Sequence, residues 1–189
     1  MANANRPTGL SPVRSTSGEF DAPVNVYSIA GDYNSAVAIG DPVKSTGTAS
    51  ADGYSGINLS AAGEVIRGVV VGLGKYPTMV ANPGNLDITY RPAQASGPVW
   101  YALVADDPNT IFEVQMATCA ITDVAANADV VAGANNGFVS GYTLSGTAAA
   151  GAAQCRILGL VPRADNAFGQ YAKVLVKIME HELTTLAGI

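Results

Sequence analysis

The residues that most often move protons or attack carbonyls near neutral pH are scarce in this chain: one histidine, His181, and two cysteines, Cys119 and Cys155. His181 stands in Glu180-His181-Glu182, at the end of an alternating apolar segment. Alternation sends both carboxylates to one face and the imidazole to the other, so the three do not converge on a metal, and a solvated strand end is expected. Asp106-Asp107 is an adjacent carboxylate pair of the kind that binds calcium or does acid–base work. Pro108-Asn109 follows it, and Asp before Pro makes a turn. Gly72-Leu73-Gly74 follows a β-branched run as a dinucleotide fingerprint would begin. The third glycine is absent, however, and Lys75-Tyr76-Pro77 cannot open the required helix. Neither Gly-x-Ser-x-Gly nor a phosphate-binding loop occurs, and the cysteines lack a flanking signature. Asn58-Leu59-Ser60 matches a glycosylation sequon but has no expected route to modification. Trp100 lies in the most apolar segment, where core packing is expected over a carbohydrate platform. No residue is therefore assigned a catalytic, cofactor-binding or metal-binding role, no cofactor is expected, and the chain is not expected to be an enzyme.

The elements around these residues read as short strands separated by turns. Residues 24–29 and 36–39 are strand-like and end at Gly31-Asp32 and Gly40-Asp41-Pro42; residues 45–56 form a polar, glycine-bearing segment. Residues 65–71 are dense in β-branched side chains. Residues 74–98 carry Pro77, Pro83, Pro92 and Pro98, which rules out a central strand or a long helix and predicts a long loop. Residues 99–104 are apolar on both faces, and 111–116 alternate; with the Asp106–Asn109 turn between them they predict a β-hairpin. Residues 118–134 tolerate a helical turn capped by Asp123, and Asn135-Asn136-Gly137 marks a tight turn. Residues 138–144, 156–161 and 173–178 complete the strands. In the last of these Val174, Val176 and Ile178 share one face, and Lys173 and Lys177 the other. Eight to ten short strands predict an all-β chain, a single β-barrel or jelly-roll-like sandwich. The body is placed at residues 23–183 and a short tail at 184–189. Residues 1–22, with Pro7, Pro12 and only Leu10, Val13 and Phe20 as anchors, read as an extended arm that lies on a neighbour or stays disordered.

Charged residues are 13% of the 189, about half the usual share, and the formal net charge is −5. A surface so poor in charge suggests that other subunits cover part of it. The ten Lys and Arg are scattered with no basic run, so no nucleic-acid partner is expected. The opening residues lack the pattern of a secretory leader, and no apolar run is long enough to span a membrane, so neither is expected. The two cysteines are expected to be free thiols.

Several segments, in order, resemble the capsid decoration (cement) proteins of tailed bacteriophages. They are residues 1–12, Ala38-Ile39-Gly40-Asp41-Pro42-Val43, residues 69–74, and Val104-Ala105-Asp106-Asp107-Pro108-Asn109 continuing to Gln115. Residues 156–163 and 173–178 follow. The likeness spans nearly the whole chain, and the Ala-Asp-Asp-Pro-Asn stretch is its most specific piece. The resemblance implies a virion protein on the outer capsid surface, made in the host cytoplasm. It would bridge neighbouring major capsid proteins as a homodimer or homotrimer, with no catalytic residue. The other reading is a head-fibre or tail accessory module that binds host-surface carbohydrate. For capsid binding, residues 1–22 and 74–98 are the expected contact elements, and deletion of residues 2–20 is expected to leave the body folded but to reduce binding to heads.

Overall fold

The computed structural model describes residues 3–18, 23–75, 88–147 and 151–184. Among these the chain is all-β, as expected, with one 3-10 turn at Ile121–Asp123. Nine strands have five or more residues. In the first half they are β1 (Ser11–Ser15), β2 (Val24–Ile29), β3 (Pro42–Ala49), β4 (Ser55–Leu59) and β5 (Gly68–Gly74). In the second half they are β6 (Trp100–Ala105), β7 (Thr110–Gln115), β8 (Cys155–Leu160) and β9 (Lys173–Ile178).

Five strands, in the order β2-β4-β3-β5-β6, close a small barrel. Its seam is a single parallel pair, Ser28 opposite Gly56, whereas the other neighbours pair antiparallel over longer stretches. A five-stranded antiparallel sheet, in the order β1-β7-β9-β8 with Asn127–Ala128 at its far edge, forms the second layer. Successive side chains of a strand point to opposite faces, and β5 and β6 use both. Val70, Trp100, Ala102 and Val104 fill the barrel. Val69 and Ala105 face the other way, into a second core with Phe112, Val114, Val174 and Val176. Of residues 99–104, which read as apolar on both faces, only Trp100, Ala102 and Val104 enter a core; on the other face Tyr101 packs edge-on against Tyr54. β9 alternates as its sequence requires: Val174 and Val176 stand opposite Val114 and Phe112 and are buried, while Lys173 and Lys177 point outward.

The hairpin expected from residues 99–104 and 111–116 does not form. Both edges of β6 are taken by β2 and β5, so the turn after Asp106 carries the chain out of the barrel and into the sheet. Residues 45–56, read as a polar, glycine-bearing segment, are the ends of β3 and β4, paired as a hairpin. Their Ser and Thr side chains gave no apolar alternation because much of this hairpin is wet on both faces. Of the strand read at 138–144, only Thr143–Leu144 pairs as a strand, with Val130–Val131.

The arm does not lie apart from the body. Asn3 donates to the carbonyls of Ala167 and Gln170 at 2.8 Å and accepts from the amide of Ala167. Gln115 accepts from the Arg6 amide and donates to Asn5 Oδ1, each at 2.8 Å. Leu10 is 1% exposed in the second core, and β1 pairs along β7. Counting apolar anchors missed this docking because amide side chains carry much of it; Phe20 lies outside the described residues. The arm crosses the β3 entry turn backbone against backbone at Gly9 and Gly40. Both have positive φ, +69° and +94°, and a Cβ on Gly40 would stand 2.3 Å from the Thr8 carbonyl oxygen. Only glycine fits there.

Of the long segment 74–98, residues 76–87, with Pro77 and Pro83, lie outside the described residues, as do residues 185–189 of the tail. The segment's end is pinned by Arg91, which is fully buried. Its guanidinium donates to the carbonyls of Ala30, Tyr33 and Ser35 at 2.9–3.0 Å and lies 5.8 Å from the Tyr33 ring centre. Carbonyl dipoles take the place of a carboxylate, and burial holds this guanidinium's pKa below its ordinary value.

Because the arm is built into the fold, deleting residues 2–15 is expected to lower thermal stability sharply instead of leaving the body intact. Leu10→Ala alone should cost about 2–5 kcal/mol. Thermal unfolding followed by circular dichroism checks both, and an unchanged midpoint for the deletion would show that the arm is dispensable.

Candidate functional site

The barrel's seam is where the fold leaves space. β2 has six partners along β6 but a single one in β4. In β3 the register slips between Ser45 and Ala49, with Gly47 at φ +74°. The splayed strands open two adjoining clefts of about 730 and 540 Å³, which share Thr48, Ala49 and Gly56. Tyr27, Tyr54, Asn25, Ser45 and Arg67 contribute to the walls of the larger one. Tyr54 stacks edge-on against Tyr101 at 5.6 Å, and the Tyr101 hydroxyl donates to Asp52.

Beneath this cleft lies a polar cluster. Asp106 is 3% exposed and accepts from the Tyr27 hydroxyl at 2.6 Å and from Asn25 Nδ2 at 2.9 Å. Arg67 donates through Nε to the Tyr27 oxygen at 2.8 Å and through Nη2 to Asp106 at 3.4 Å, with its guanidinium 5.3 Å from the Tyr27 ring centre. Burial, reinforced by Asp106, pushes the Tyr27 hydroxyl up to about 12, so it is a fixed donor at neutral pH. The cluster neutralises a buried carboxylate and presents one partly exposed guanidinium edge to the cleft. It can bind a small polar ligand by hydrogen bonding; it has neither a nucleophile nor a base poised against one.

The structure separates the two members of the Asp106-Asp107 pair. Asp106 anchors the barrel, while Asp107 accepts from the Asn109 amide at 2.8 Å and shapes the turn. Glu180-His181-Glu182 is not the solvated strand end expected: β9 stops at Ile178, His181 is buried at 1% exposure, and Glu182 accepts from the Ser45 amide and hydroxyl at 2.7 and 2.6 Å. His181 Nδ1 accepts from the Leu183 amide, its Nε2 is buried with no hydrogen-bond partner among the described residues, and burial holds its pKa below the ordinary value. Among the described residues no group of three His, Cys, Asp or Glu side chains could hold a metal ion.

Gly72-Leu73-Gly74 lies within β5, at its end. Trp100 packs in the barrel core beneath Lys75, whose ammonium is 5.5 Å from the ring centre. In the sequon, Ser60 is fully buried. Cys119 and Cys155 are free and buried, and burial pushes the Cys155 thiol up to about 12, which keeps it protonated and unreactive. No helix among the described residues is long and apolar enough to cross a membrane.

One buried carboxylate was passed over as a turn residue in the sequence. Asp41 is 2% exposed, accepts from the Ala38 amide at 2.8 Å, and is bonded by the Ser140 side chain. Desolvation outweighs both bonds and raises its carboxyl to about 6. Nothing local in Gly40-Asp41-Pro42 reveals this, because the burying segments come from residues 8–10 and 139–142.

No protein-family model matches this chain, and no curated protein is similar to it in sequence.

The Asp41 carboxyl is harder to ionise folded than unfolded. Its contribution to stability is therefore present below pH 3.8 and is lost as pH rises through about 6. At 1.36 kcal/mol per pH unit this amounts to about 3 kcal/mol. Asp41→Asn keeps the acceptor for Ala38 and should gain stability of that order near pH 8, with little gain near pH 4. Urea unfolding at the two pH values checks it; an equal effect at both would remove the ionisation account.

Proposed function

We propose that this chain is a structural virion protein that decorates the outer surface of a tailed-phage capsid and stabilises the lattice by bridging major capsid proteins. The observation that carries the reading is an apolar surface on a charge-poor protein. Ile121 is 71% exposed and Phe138 69%, while charged residues are 13% of the chain. Large open apolar side chains on such a surface suit a molecule whose faces are covered by neighbours. Phe138 sits beside Lys75 and Ile88, and this apolar rim is the contact region in the proposal. The ordered likeness to cement proteins points the same way. Weak contacts repeated over a lattice then add to large stabilisation without a strong single site, and the chain works without catalysis or cofactor, as a homodimer or homotrimer.

The seam cleft favours a second reading. Its tyrosines, hydroxyls and Arg67 are the side chains that hold a sugar, as a head-fibre or tail accessory module would.

High-resolution imaging of particles that carry the protein tests the first reading. The expected result is the all-β body in regular copies on the outer head lattice, contacting the major capsid protein through the Phe138 rim. Location on the tail, with saturable binding on a glycan array that Arg67→Ala and Tyr54→Ala abolish, would replace it with the second.

A further inference from the structure

The cations that are scattered along the sequence are gathered by strand register. On the solvent face of the five-stranded sheet, Arg14 of β1 stands opposite Ile111 of β7, Ile111 opposite Lys177 of β9, and Lys177 opposite Arg156 of β8. Residues directly opposite in a ladder share a face, with neighbouring strands about 4.8 Å apart. Three cations therefore lie in one row across four strands.

Among the described residues no carboxylate lies within 4.0 Å of any of the three. Arg156 donates through Nε to Asn127 Oδ1 at 3.0 Å, and Lys177 reaches Asn109 Oδ1 at 3.5 Å. Both partners are neutral amides. The next carboxylate on this face, Glu113, is already paired with Arg163 and Lys173. Like charges directly opposite each other in a ladder destabilise it, and Lys177 against Arg156 is such a pair, in a protein whose net charge is −5. The fold thus tolerates an unfavourable arrangement where a single carboxylate would relieve it.

We infer that this row is a docking surface for a carboxylate-rich face of a partner protein. The sign of the row requires an anionic occupant, and the guanidinium fork matches a carboxylate in two-point geometry. Three cations are too few for a nucleic acid, whose affinity grows with each phosphate neutralised and which typically takes 6–10 such contacts. Ile111 between the charges is itself buried, and the apolar side chains that border the row are half-buried Leu175 and exposed Val13, which suit a protein surface better than a phosphate backbone. The assignment stands on the sheet's register alone and holds whether or not the chain is a virion protein.

The test uses the full chain and a glutamate decamer as probe, titrated at low salt with backbone amide shifts observed by NMR. Shifts should map to residues around Arg14, Lys177 and Arg156. Binding should weaken at least tenfold in Arg156→Gln/Lys177→Gln, while Lys44→Gln, a cation elsewhere, leaves it unchanged. Thermal stability of the double variant should hold or rise, since a like-charge contact is removed. Should that variant not fold, Arg14→Gln, at an exposed position, serves in its place with a smaller expected loss. Several results would overturn the inference: decamer binding unaffected by the double variant, shifts mapping elsewhere, a lower melting temperature that shows the row to be structural, or tighter binding of a DNA duplex at the same salt. Sedimentation showing a dimer of the chain that the double variant dissolves would overturn it in favour of self-docking.

Discussion

Three stretches of backbone meet where Gly9 crosses Gly40 and Ser140 lies against both, and the placing of everything else follows from that meeting. The Leu10 amide donates to the Gly40 carbonyl, the Gly40 amide to the Val70 carbonyl, and the Ser140 amide to the Ile39 carbonyl. These bonds tie the arm to the entry of β3, that entry to the wall shared by the two cores, and the 139–142 segment to both. No side chain fits between the crossing strands, and the two glycines supply both the clearance and the left-handed φ. Asp41 is the polar consequence: sealed in by the crossing, it keeps a carboxyl where water cannot reach it, satisfied by one backbone amide and one hydroxyl.

The all-β class was legible because β9 and β7 alternate strictly and because β5 is crowded with β-branched residues. The partition into two layers was not. Residues 99–104 and 111–116 look like two halves of a hairpin in any local reading, and only the occupation of both β6 edges by distant strands sends β7 elsewhere. The wet β3–β4 hairpin escaped for the opposite reason, since Ser, Thr and Gly in alternation leave no apolar period to detect. The arm escaped because Asn3, Asn5 and Gln115 hold it through amide hydrogen bonds between residues more than a hundred positions apart.

The polar features divide in the same way. That Lys173 and Lys177 share the outer face of β9 follows from period two alone; that His181, past the strand's end, is buried does not. That Asp106 and Asp107 do different work needs Tyr27, Asn25 and Arg67, which come from other strands. The cationic row was legible in one member only, since the alternation of β9 sets Lys177 on that strand's outer face. Its other members became neighbours only through the pairing of β1 with β7 and of β8 with β9. Charge counted along a chain and charge counted across a sheet are different quantities, and the register converts one into the other.

The docking of the arm has a consequence for how the molecule is made. Residues 3–15 leave the ribosome long before residues 110–115, 167 and 170, to which they must bond. Until those appear, β1 and the Asn3–Arg6 end of the arm lack their partners, although Leu10 can already meet Gly40. Pairings this distant in sequence form slowly, because loop closure must precede the contacts that reward it. The two-layer body therefore cannot be completed by growth from its N-terminal end. It closes only once β9 is available, when the earliest-made segment becomes one of the last to settle.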